Sequence, residues 1–102
     1  MTTTAADVVV VEVAGDLDLG SVARVREALH DALRGHPQQL VVDLSHCAFV
    51  DASALAMLLD VHRRAHRGGG VLTLRGCTPR VLRLLSLTGL RRVFDVDLAA
   101  SA

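Results

Sequence analysis

Three continuous aliphatic runs, at 8–13, 40–44 and 71–74, constrain this chain more than any other feature. They are rich in β-branched valine and too short for helices. At 8–13 and 40–44 the lack of polar alternation suits strands buried on both faces. Helical patterns separate them. Val22, Val25, Leu29, Ala32 and Leu33 recur at helical spacing, with Arg24, Arg26, Glu27, His30, Asp31 and Arg34 on the other face. Ser21 is the expected N-cap of that segment, and Gly35 with Pro37 ends it. A second helix is expected over about 54–67, apolar for two turns and then basic. Thr78 and Pro79 form an N-cap and N1 pair for a short third helix that closes near Gly89. Residues 92–96 complete the pattern as a last strand. The alternation β-α-β-α-β-α-β predicts an α/β domain with a mainly parallel sheet of about four strands packed with helices.

Composition narrows the functional classes. At 102 residues the chain is one domain, 1–102, with a core at about 7–96 and frayed ends, including the Ala-rich tail. Half of it is apolar, yet Phe49 and Phe94 are the only aromatic residues apart from histidine. Such a core offers no platform for stacked bases. Eleven arginines balance eleven acidic residues, so no net field favours nucleic acid. No apolar run approaches the roughly 18–20 residues of a membrane span. The start Met1-Thr2-Thr3-Thr4 has no signal-peptide pattern, so the expected location is the cytoplasm. Cys47 and Cys77 are read as reduced, buried hydrophobes.

The stretch Phe49-Val50-Asp51-Ala52-Ser53-Ala54-Leu55 holds a carboxylate and a hydroxyl where a strand ends and a helix begins. Ligands and partners of α/β domains dock at such places. Ser53 as a nucleophile lacks a GxSxG elbow and a recognisable base, so no enzyme is expected. Asp16 and Asp18 read as a solvated acidic loop before a helix N-terminus rather than as a metal or acid–base pair. His62 and His66 are one helical turn apart with no third ligand, so no metal site is expected. The triple glycine 68–70 follows a helix and precedes a strand, the reverse of a phosphate loop, and reads as a flexible connection. No cofactor is implied. The residues describe a binding or regulatory module.

Four stretches in order also match one family: Gly15-Asp16-Leu17-Asp18, Val41-Val42-Asp43-Leu44-Ser45, residues 49–55, and Thr78-Pro79-Arg80-Val81-Leu82-Arg83-Leu84-Leu85 with Thr88-Gly89-Leu90. From about residue 7 to 96 the chain resembles a STAS domain, as in bacterial anti-sigma factor antagonists. The resemblance implies a small α/β domain whose first edge strand is reduced or missing. It implies binding to an anti-sigma factor that is also an ATP-dependent serine kinase. Binding frees the sigma factor, and phosphorylation of the antagonist breaks the complex.

The implied partner surface is Asp16, Asp18, Asp51, Ala52, Ser53, Ala54 and Leu55. The family motif is Asp-Ser-Ser/Thr-Gly-Leu, with phosphate on the hydroxyl after the Asp; here that position is Ala52. Ser53 then has two readings, a phosphoacceptor in a shifted position or an N-cap serine worth about 1 kcal/mol, and the cap is preferred. Ala54 in place of Gly adds a methyl against which a partner's backbone would pack. Two other roles are compatible with the residues. One is an accessory subunit of a lipid transporter or sensory assembly, which neighbouring genes would reveal. The other is binding of a small ligand such as a nucleotide, against which stands the missing phosphate loop.

Overall fold

The protein is described by a computed structural model covering residues 2–98. Its elements are β1 (Thr2–Ala5), β2 (Val8–Ala14), α1 (Val22–Leu33), β3 (Gln39–His46), α2 (Ala52–Arg67), β4 (Val71–Arg75), α3 (Pro79–Leu87) and β5 (Asp95–Asp97). The sheet order is β1-β2-β3-β4-β5, the order of the chain. β1 is antiparallel to β2 across a two-residue turn in which Ala6 and Asp7 both have positive φ. It is the short edge strand, a fifth beyond the expected four. All other pairings are parallel.

Sequential parallel strands joined by right-handed crossovers bring every helix back over the same face. On that face Val9, Val11 and Val13 of β2, Leu40, Val42 and Leu44 of β3, and Leu72 and Leu74 of β4 form one core. Leu29 of α1, Leu58 and Val61 of α2, and Val81 and Leu85 of α3 close it. The intervening residues point the other way. The expectation that 8–13 and 40–44 are buried on both faces is therefore corrected for β2, where Val8 and Val10 are half-buried and Glu12 is exposed. Val41 and Thr73 are buried at the middle of the second face, yet neither is part of the core cluster. Polar side chains span that face. Gln39 Nε2 donates to Thr73 Oγ1 at 3.1 Å, Thr73 Oγ1 donates to Asp95 Oδ2 at 2.7 Å, and Arg75 pairs with Asp43 at 2.9 Å. Burial pushes the Asp43 carboxyl up, but the bonds from Ser45 and the Arg75 guanidinium outweigh it and leave it below the ordinary aspartate range.

Element ends differ from expectation in instructive ways. Thr78 caps α3 as expected, accepting the Val81 N–H at 3.3 Å, with Pro79 following. The last strand does not begin at residue 92. Gly89, at φ +75°, breaks the chain into a 3₁₀ turn at Leu90–Arg92, and β5 starts only at Asp95. The shift buries Phe94, whose ring meets His62 edge-on at 5.6 Å. Residues 68–70 are not simply a flexible link. Gly69 adopts φ +85°, and a Cβ on Gly70 would sit 2.4 Å from the Pro37 carbonyl oxygen. Backbone contact demands that glycine. Cys47 and Cys77 are free and buried; burial pushes both thiols up, Cys77 to about 11. The Ala-rich tail expected to fray lies outside the described residues.

Candidate functional site

The segment leaving β3 turns through residues 47–50 and enters α2 at Asp51, which caps the helix from an extended backbone conformation. Asp51 Oδ1 accepts the Ala54 N–H at 2.9 Å and the Ser53 hydroxyl at 2.6 Å. Its Oδ2 accepts the Leu19 N–H at 3.0 Å, from a loop 32 positions earlier. The Ser53 hydroxyl foremost, then the Ala54 N–H, holds the Asp51 carboxyl below its ordinary range. One carboxylate thus ends a loop, starts a helix and fastens a second loop to both.

Backbone bonds complete the fastening. Leu17 N–H donates to the Phe49 carbonyl at 2.9 Å, and Asp51 N–H donates to the Leu17 carbonyl at 3.2 Å. These form an isolated parallel bridge between Leu17 and Val50, so the β2–β3 pairing resumes past the strand ends. The Leu17 side chain is wholly buried beneath it. Asp18 Oδ1 accepts the N–H groups of Gly20 and Ser21 at 3.0 and 3.2 Å. Ser21 Oγ donates to the Asp16 carbonyl at 2.8 Å and makes no helix-capping bond, correcting the expectation that it caps α1. The Asp16 carbonyl engages that hydroxyl instead of the helix.

The resemblance implied one surface made of Asp16, Asp18 and residues 51–55, and the geometry brings the two segments into direct contact. Their side chains divide sharply. Asp16 and Ala52 are exposed, while Asp18, Asp51 and Ser53 are half-buried with their polar atoms engaged locally. Ala54 is 0% and Leu55 6% exposed; both face the core, which corrects their assignment to a contact surface. The Ala54 methyl packs inside the protein, not against a partner. Ser53 is not the N-cap. The helix starts at Ala52, so Asp51 takes that role and Ser53 lies in the first turn as a donor to it.

Three apolar surface residues were missed. Leu19, 77% exposed, stands at the tip of the acidic loop; an apolar residue between Asp18 and Gly20 was the available signal. Phe49 lies on the other side of the turn with the Arg80 guanidinium 5.5 Å from its ring centre. With Ala48, Leu84 and the 75%-exposed Leu87 they line a groove of about 250 Å³. No sequence period links residue 49 to α3. The Ser53 hydroxyl is directed to Asp51 and to no histidine. Among the described residues no three His, Cys, Asp or Glu side chains are grouped to hold a metal, and no helix is long and apolar enough to cross a membrane. The arrangement is a surface whose polar groups are largely satisfied by one another.

The family model described as Mlab, STAS domain matches residues 1–98. A STAS-domain containing protein of Pseudomonas aeruginosa is 30% identical over 89 residues, 85% of each chain. The anti-sigma F factor antagonist of Paenibacillus polymyxa is 28% identical over 90 residues, covering 87% of this chain and 77% of that one. Among solved structures, an anti-sigma factor antagonist from Mycobacterium paratuberculosis superposes with a TM-score of 0.81 at 27% identity, over 94% of this chain and 81% of that one. Relatives of this kind are regulatory binding proteins and not enzymes.

Proposed function

The chain belongs to the STAS domain family, and we propose that it acts as an anti-sigma factor antagonist whose binding is not switched by phosphate. The observation that carries this reading is the joined surface of the acidic loop and the α2 start, held by Asp51 and the Leu17–Val50 bridge. A preorganised surface loses little entropy on binding, which suits reversible protein recognition. Its partner is an anti-sigma factor of the serine-kinase type, met in the cytoplasm, and its binding releases the sigma factor. Asp16, Leu19 and Ala52 offer the exposed contacts, with Asp18, Asp51 and Ser53 shaping the backbone beneath them.

Ala52 sits where the family's phosphoacceptor belongs and has no hydroxyl. Ser53 is a poor substitute, because its oxygen is 2.6 Å from the Asp51 carboxylate. A phosphate there adds close to two negative charges against that carboxylate and would break the tie that fastens the loop. The complex is therefore formed constitutively.

Incubating the protein with the kinase-type anti-sigma factor encoded beside its gene, with Mg-ATP, tests both parts. The expected result is a stable complex and an unmodified chain by mass spectrometry. Ala52→Ser is expected to accept phosphate and dissociate, while Leu19→Glu weakens binding without altering the melting temperature. Phosphate on wild-type Ser53 overturns the constitutive reading, and failure of the unmodified chain to bind overturns the antagonist role.

A further inference from the structure

Two helices that begin near the recognition surface end together at the opposite pole. There the last turn of α1, the loop 35–37 and the last turn of α2 enclose a cleft of about 520 Å³, lined by His30, Leu33, Arg34, His36, Pro37, Arg64, Ala65, Arg67 and Gly68. That volume is within the range of small-molecule sites, about 300–1,000 Å³. The sixteen residues of α2 put the cleft about 24 Å from Asp51. We propose that this cleft binds a small organic phosphate carrying two or more phosphoryl groups.

Charge is the first argument. The lining holds three arginines and two histidines and no carboxylate. Arginine at a helix C-terminus also complements the dipole. Arg34 is partly neutralised by Asp31 at 3.3 Å, across the exposed side of α1. Arg64 touches Asp60 through Nε at 2.9 Å, and among the described residues its terminal nitrogens make no hydrogen bond. Arg67 has no ion pair among the described residues. Guanidinium groups with free planar edges bind phosphate bidentately.

Backbone geometry is the second. His36 adopts φ +48°, a left-handed conformation uncommon for a residue with a side chain. Its imidazole faces Gly68, where a Cβ would lie 3.4 Å from Nδ1. The left-handed turn sets a histidine on the rim, beside the end of α2. Such outliers persist where the surroundings enforce them and cluster at ligand sites. Leu33, Ala65 and the buried Pro37 supply an apolar wall for the organic part of the ligand.

The test is titration of the ¹⁵N-labelled full chain with pyrophosphate, ATP and sulfate, followed by NMR. The expected result is saturable shifts at residues 33–38 and 64–68 from pyrophosphate and ATP, with affinity tighter than about 1 mM, and a weaker response to sulfate. Arg64→Glu with Arg67→Glu is expected to lower affinity at least about tenfold. If that double variant melts early, Arg67→Ala replaces it, because it removes an exposed side chain with no bond to lose. Shifts at 16–20 and 49–55 instead, a sulfate response equal to that of pyrophosphate, or unchanged binding in the variants overturns the proposal. So does retention on phosphatidylglycerol vesicles without saturable binding of the free anions, which would identify a lipid surface.

Discussion

Leu17→Ala isolates what holds the recognition surface in place. The Leu17 side chain is wholly buried under the bridge to Val50, while its N–H and carbonyl carry the bonds to Phe49 and Asp51. Alanine keeps both backbone bonds and the loop length, so the loss is that of packing. Burial of leucine relative to alanine, plus the cavity left where the surroundings cannot collapse, costs about 2.7–5 kcal/mol. The site is roofed by one loop strand, which can settle into part of the space, so the lower half of that range, about 3 kcal/mol, is expected. For a domain of this size that lowers the melting temperature by roughly 12 °C or more. Calorimetry gives the total, and hydrogen exchange locates it: the Leu17, Leu19 and Asp51 amides should exchange much faster, with the β3 amides following only the global loss. A drop below about 1 kcal/mol, or unchanged protection of those three amides, would refute the claim that this side chain anchors the loop.

Other consequences are equally direct. Because the Asp51 carboxyl is held low chiefly by Ser53, its contribution to stability is present above the unfolded aspartate range and lost as pH falls through the lowered folded value. Melting curves between pH 2.5 and 5 should show a shallower acid loss for Asp51→Asn than for wild type, and the difference removes the similar contribution of Asp43. Gly70→Ala should destabilise by about 3 kcal/mol or more in urea titration, since its methyl meets the Pro37 carbonyl, whereas Gly68→Ala should cost far less. Cys47 and Cys77, buried and with raised thiol pKa values, should resist a disulfide reagent at pH 8 when folded and react promptly in denaturant.

Local chemistry in the sequence located every helix and the three central strands, because aliphatic runs, Thr78-Pro79 and the glycine breaks each act within a few residues. Non-local features were harder to see. That Leu17 pairs with Val50 follows from a parallel register carried beyond the strand ends, and no spacing in the chain announces it. The one-sided sheet was misread because Val8-Val9-Val10-Val11 looks the same whether or not a helix covers its second face. At the turn, Ser53 was the expected cap of a helix starting near residue 54. A helix beginning two residues earlier decided for the aspartate, and the same shift turned Ala54 and Leu55 inward. Leu19 and the Phe49–Arg80 contact lie on the surface, where patterning is weakest.

Strand order that equals chain order has a consequence for how the molecule is made. Each new strand pairs with the one synthesised just before it, so contacts close over short loops and the sheet can grow by addition at one edge. The acidic loop finds its docking turn as soon as β3 and the α2 start have emerged, before β4 exists. The basic cleft is closed when α2 ends. A nascent chain that has emerged as far as residue 68 is thus expected to carry both surfaces already, with β4 and β5 extending a sheet edge that would otherwise stand open to a neighbouring chain.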